Sequence, residues 1–209
     1  RLSMDLAASS IMATVAFFLH PPEIDIISND WSQIRDHLSE VDLDTYKCYE
    51  PLNTFVPKSH LNIRSVSLLH PFDLILYTSV VHSLKDDIAS ARLPPRSRRV
   101  FSFRSEGTAD GVLYKLKPSY GTFRKRLQQK TRSGKGYVGI TDIADFYPRI
   151  YQHRLVNALQ VTLADPTRKP LVRVLEKLLD QFSKGGELRN TRWPSSLTPP
   201  RRGHLNRYR

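Results

Sequence analysis

Apolar positions along the chain follow two periods, and the break points between them mark the elements. From Pro71 to Ala91, residues Leu74, Tyr77, Val81, Leu84 and Ile88 recur at spacings of 3, 4, 3 and 4, which sets them on one face of a helix. Pro71 suits the first helical position and Pro94-Pro95 stop the element. Val100 to Arg104 (VFSFR) alternates like a strand, and Val112 to Leu116 (VLYKL) is expected to pair with it across a loop containing Gly107 and Gly111. Pro118 to Arg132 reads as a basic helix with Phe123 and Leu127 turned inward, and Gly136 to Thr141 (GYVGIT) as a buried strand. Two helices follow, near 151–164 and 168–182, the second with Leu171, Leu175, Leu178 and Phe182 on one side. Residues 23–50 read as short acidic helical pieces, with Asp30 as N-cap before Trp31, Ile34 and Leu38.

The longest apolar run, Leu6 to Leu19, is 14 residues and interrupted by Ser and Thr. That is too short to span a bilayer, and its flanks do not resemble a signal peptide, so a buried helix is expected and no membrane partner. The single cysteine, Cys48, excludes a disulfide framework and a cysteine-based zinc site, which agrees with a reducing, cytoplasmic interior.

Charge divides the chain more sharply than hydropathy does. The net charge is +12, but residues 1–91 carry 6 Lys/Arg against 12 Asp/Glu, a balance of −6. Residues 92–135 carry 13 against 2, or +11; residues 136–183 carry 6 against 5; and residues 184–209 carry 7 against 1. A basic block this concentrated is the electrostatic footprint of a polyanion partner, although a solvated basic face would have the same composition. Phe101, Phe103, Tyr114, Tyr120 and Phe123 are interleaved with the cations and can either stack on bases or pack a core. Nucleic acid is the expected partner.

Candidate chemistry lies where the apolar strand ends, at Ile140-Thr141-Asp142-Ile143-Ala144-Asp145-Phe146-Tyr147-Pro148-Arg149-Ile150. A carboxylate leaving a hydrophobic strand is costly unless a cation meets it, and a divalent metal is a common answer. From spacing alone, Asp142 and Asp145 are either metal ligands or an N-cap and a surface charge ahead of the next helix. Ser133-Gly134-Lys135-Gly136 lacks the spacing of a phosphate loop and reads as a turn.

The segment ITDIADFYPRIYQHRLVNAL resembles motif A of reverse transcriptases, in particular the retron-like and abortive-infection or phage-defence groups. The matching positions are Asp142, Ile143, Phe146, Tyr147, Pro148, Ile150, His153, Leu155, Ala158 and Leu159. Upstream, His70 to Tyr77, then Arg92-Leu93-Pro94, then Val100 to Arg104 are similar in order to the fingers region of the same enzymes. The two resemblances together cover about residues 65–160. They imply an α+β fold. Its parts would be a mostly helical N-terminal region (1–64), a basic fingers subdomain (65–135), a first palm strand with motif A and its helices (136–183), and a basic tail (184–209).

The resemblance also implies roles. Asp142 is the position that binds both Mg2+ ions, and the backbone carbonyl of Ile143 is the neighbouring ligand. Tyr147 falls at the steric gate against a ribose 2′-hydroxyl, with Phe146 beside it in the nucleotide site; core packing is the other reading of Tyr147. Arg104 would hold the incoming triphosphate, with Arg98 and Arg99 competing for that task. Arg98, Arg99, Arg124, Lys125 and Arg126 would contact nucleic acid. Asp145 suits a helix cap as well as a metal, and His153 is expected to be structural. The implied ligands are an RNA template, a DNA or RNA primer and deoxynucleoside triphosphates.

The departure from the family is large. Neither a Gly-Leu-Pro-x-Gly/Ser-Pro segment nor a Tyr-x-Asp-Asp hairpin occurs in the 209 residues. Without the second carboxylate pair, Asp142 cannot hold two ions about 3.5–4 Å apart, so this polypeptide by itself is expected not to polymerise DNA. Trp193-Pro194-Ser195-Ser196-Leu197-Thr198 stands where the Gly-Leu-Pro segment belongs. Synonymous codons for it, such as TGG CCT TCC AGT CTC ACC, read Gly-Leu-Pro-Val-Ser one base forward, so the tail from about Trp193 is compatible with out-of-frame translation. A basic tail with its own role is the other reading. The alternatives to an enzyme are a non-catalytic nucleic-acid-binding protein of the same fold and one half of a split polymerase whose partner chain carries the missing palm.

Overall fold

A computed structural model describes residues 2–13, 22–58, 62–94, 99–105, 119–134, 137, 139–143, 146 and 150–186. Among them the chain is mostly helical with one two-stranded antiparallel sheet, a coarse α+β composition. The elements in order are α1 (Met4–Ala13), α2 (Pro22–Asn29), α3 (Trp31–Glu40), β1 (Leu52–Lys58), β2 (Asn62–Leu68), α4 (Pro71–Ala91), α5 (Tyr120–Ser133), α6 (Gln152–Thr162) and α7 (Lys169–Gly186), with a 3-10 turn at Pro166–Arg168.

Helix α4 is the axis of the structure, and its boundaries are those the sequence predicts. Pro71 occupies the first turn, His70 accepts the Phe72 N–H at 3.3 Å, and the chain turns extended at Arg92. The predicted stripe faces only one of two cores. Val80 and Leu84 are buried against Val156, Val172, Leu175 and Leu178 of α6 and α7, with Tyr77, Val81 and Ile88 at the margin. Ile75 and Leu76 point instead to Met4 and Ala7 of α1, Ile27 of α2 and Leu38 of α3. A helix clad on two sides must place apolar residues beyond a single stripe, which is why the deepest positions of α4 fall partly outside its 3–4 repeat.

Buried carboxylates tie the connecting segments to this axis. Asp73 is fully buried and accepts the Tyr46 hydroxyl at 2.7 Å and the Tyr49 N–H at 3.0 Å. Asp87 pairs with Arg168 at 2.9 Å and accepts the Ala164 N–H at 3.1 Å, joining α4 to the turn before α7. Gln181 of α7 accepts the Cys48 N–H at 2.8 Å, and Lys177 donates to the carbonyls of Leu43 and Asp44.

Several expectations are corrected. The apolar run beginning at Leu6 is helical to Ala13, with Ala7 and Ala8 buried; residues 14–21 lie outside the described residues. Asp30 holds the N-cap position of α3, but its side chain makes no capping hydrogen bond. In the region to residue 64 the described residues carry helices α1, α2 and α3, then turn and coil at 41–51 and strand β1, which pairs with β2 from Leu52↔Leu68 to Lys58↔Asn62. Val100 to Arg104 is irregular, with a single bridge at Arg104, and its expected partner at 112–116 lies outside the described residues. No helix among the described residues is long and apolar enough to cross a membrane.

Candidate nucleic-acid interface

The segment 99–105 carries no regular structure of its own, and hydrogen bonds pin it to the end of α4. Arg92 donates to the Phe103 carbonyl at 2.6 Å and to the Ser102 carbonyl and hydroxyl at 3.3 and 2.5 Å. Burial, and then the nearby Arg104 charge, lower the Arg92 pKa from its ordinary value. Arg104 donates to the Leu93 carbonyl, and Ser105 to the Lys85 carbonyl at 3.3 Å. Arg104 is therefore turned inward, 9% exposed, and here it anchors the segment rather than facing open solvent. Neither the charge of Arg92 nor its place in the fingers resemblance points to an anchoring role; its position directly after the helix end was the available signal.

Helix α5 is the exposed cationic element. The Ser119 N–H meets the Thr122 hydroxyl at 3.4 Å at its start, and Lys130 and Arg132 in the last turn complement the negative end of the helix. Arg124 and Lys125 are exposed and Arg126 is half-buried. Phe123 is not inward as expected: it is 39% exposed and meets Phe101 edge-on, with ring centroids 5.7 Å apart. Arg99 is exposed beside it, while Arg98 lies outside the described residues.

The described residues of the motif segment are exposed. Asp142 and Ile143 are exposed, and the Asp142 carboxylate accepts the Ile143 N–H at 2.9 Å. Phe146 is half exposed; Asp145 and Tyr147 lie outside the described residues. The buried strand expected at 136–141 is corrected: Tyr137 and Ile140 are fully or largely exposed, and 137 and 139–141 form no ladder. A strand needs a partner for its backbone groups, and β1 and β2, the strands among the described residues, already pair with each other. His153 is exposed, with its ring centroid 6.2 Å from that of Tyr151.

One carboxylate and one carbonyl do not make a site for a pair of Mg2+ ions, and the described residues contain no group of three His, Cys, Asp or Glu side chains placed to hold a metal. The donor set at Asp142 is incomplete within these residues. A cleft of about 750 Å3 opens between Ile150–His153 and α7. Its charged lining is mixed, Arg173 and Lys177 against Glu176 and Asp180, so it selects neither sign. Comparison of the chain with family models, curated proteins and solved structures returned no match.

Proposed function

We propose that this chain is the fingers and first palm segment of an RNA-directed DNA polymerase of the reverse transcriptase type, with Asp142 as one carboxylate of a magnesium site. The observation that carries the reading is the run Asp142-Ile143-x-x-Phe146-Tyr147-Pro148-x-Ile150, following at family-like separation a helix, a proline-marked stop and VFSFR. Two further features support it. The cations of α5 are presented to solvent, as a phosphate-binding element requires, and Asp142, Ile143 and Phe146 are accessible to a ligand.

When bound, magnesium would supply charge stabilisation for phosphoryl transfer. The residues of this chain would contribute the Asp142 carboxylate, the Ile143 carbonyl, the Tyr147 ring as a gate against the 2′-hydroxyl, and electrostatic attraction of a primer–template. The remaining carboxylates would come from outside these 209 residues, in a longer palm or a partner chain. The downstream nucleotide sequence, read in all three frames, tests this cheaply: a Tyr-x-Asp-Asp is expected in one of them. Its absence from every frame would favour either a split enzyme whose partner chain carries the missing palm or the second reading, a nucleic-acid-binding module, for which the cationic exposed face of α5 is the specific support.

A further inference from the structure

The cations of α5 explain attraction to any polyanion, but not the aromatic rings that share their surface. Segment 99–105 and the first turn of α5 enclose an open groove of about 550 Å3, lined by Arg99, Phe101, Phe103, Tyr120 and Phe123. Tyr120 is 72% exposed and Phe103 49%, so the rings bordering this groove are only partly used in packing. Phe123 is braced between Phe101, edge-on, and Tyr120, tilted at a centroid distance of 6.0 Å. The groove wall is itself held, since Arg92 fixes the carbonyls of Ser102 and Phe103. Its volume falls within the roughly 300–1,000 Å3 of clefts that take small-molecule ligands.

Charge identifies the occupant. On the wheel of α5, Tyr120, Phe123 and Leu127 form one stripe, and Arg124 and Arg126 flank it on opposite sides. Arg99 lines the groove itself, and between residues 92 and 135 the acids number 2 against 13 Lys/Arg. Accessible aromatic faces between cations suit a chain that alternates flat rings with phosphates. An apolar peptide would leave these cations unanswered. A duplex would satisfy them but could not present a base face, because its bases are stacked on one another.

We infer that this groove stacks the bases of an unpaired nucleic-acid strand, so that the chain prefers single-stranded to double-stranded nucleic acid. The inference deepens the proposed function and rests on its nucleic-acid partner. Stacking uses the base face and not the sugar, so oligo(U) and oligo(dT) are expected to bind alike.

The test is fluorescence anisotropy of the 209-residue chain with labelled oligo(U), oligo(dT) and a duplex of equal length, over a range of salt. Single strands should bind more tightly, and the preference should widen as salt weakens the attraction to phosphates. The double variant Phe103→Ala/Tyr120→Ala should lose roughly tenfold or more in single-strand affinity, with duplex affinity and the salt slope unchanged. Tyr120→Phe, which keeps the ring, should bind as the parent does; Tyr120→Leu, apolar without an aromatic face, should not, and serves if the double variant loses its helical circular dichroism. Equal affinity for single strand and duplex overturns the groove inference alone, whereas no binding to either overturns the nucleic-acid reading. Unchanged single-strand affinity in the ring-deleted variants overturns stacking, as does an accompanying change in oligomeric state that marks the groove as an interface between copies.

Discussion

Asp73 has no exposed surface, yet it holds two donors that nothing else in its surroundings is shown to satisfy, the Tyr46 hydroxyl and the Tyr49 N–H. Burial, and then the Asp73 carboxylate, raise the Tyr46 pKa far above its ordinary value, so the phenol remains a donor. Burial and then the Asp73 charge likewise push the Cys48 thiol up to about 11, which keeps it protonated near neutral pH. Asp73→Ala leaves both part-buried donors without this acceptor and should cost about 1–3 kcal/mol in urea unfolding, with Asp73→Asn costing less because an amide oxygen still accepts. His82 is buried with neither ring nitrogen bonded among the described residues. Burial, and then the Lys85 charge, lower its pKa from the ordinary value. The unfolded chain then binds more protons than the folded one below about pH 6.5, so stability is complete above that value and falls as pH drops through it. Urea midpoints taken at neutral and mildly acidic pH should show this fall, and His82→Gln should reduce it.

At the scale of elements, α5 gives the clearest expectation. Charge reversal at Arg124, Lys125 and Arg126 should weaken binding to all sequences alike and flatten the salt dependence, by up to about 0.9 in log–log slope for each duplex phosphate that is no longer neutralised. Anisotropy titrations across salt check this, and an unaltered slope would place the phosphate-binding cations elsewhere. Elements whose signal is local were legible in the sequence. The ends of α4 follow from Pro71 and the stop at Pro94-Pro95, and α6 and α7 from the repeats of Leu155, Leu159, Leu171, Leu175 and Leu178. The hairpin β1–β2 was not legible, for two reasons. Pro57 interrupts its first strand, which a two-stranded sheet tolerates because both strands are edges. Leu52, Phe55 and Ile63 are exposed, so the run shows no apolar face turned to a core. The inward turn of Arg104 was equally hidden, because it depends on the Leu93 carbonyl left by the end of α4 and not on any neighbour in sequence. At Asp142 the residue type and its motif were readable, whereas the lack of a ladder among the described residues around it depends on pairing between distant segments.

Over the whole molecule, the exposed apolar surface is uneven. Tyr137, Ile140, Ile143, Tyr151 and Val161 all lie more than half exposed between α5 and α7. Exposed apolar side chains of this kind favour association, so the chain should sediment as concentration-dependent oligomers, and Ile140→Lys with Val161→Lys should shift it toward monomer. A monodisperse wild-type monomer that melts cooperatively would count against this. Charge is uneven as well, acidic before residue 92 and basic through 135, so the central block is suited to a polyanion and the exposed apolar residues after it to a protein surface. The decisive measurement is primer extension on an RNA template with magnesium and deoxynucleotides, by the chain completed with its downstream coding sequence in the frame that supplies the Tyr-x-Asp-Asp. The completed protein should extend the primer, the 209-residue chain alone should not, and Asp142→Asn in the completed protein should abolish extension while leaving duplex affinity unchanged. Extension that survives Asp142→Asn in a folded, duplex-binding protein would contradict the assignment.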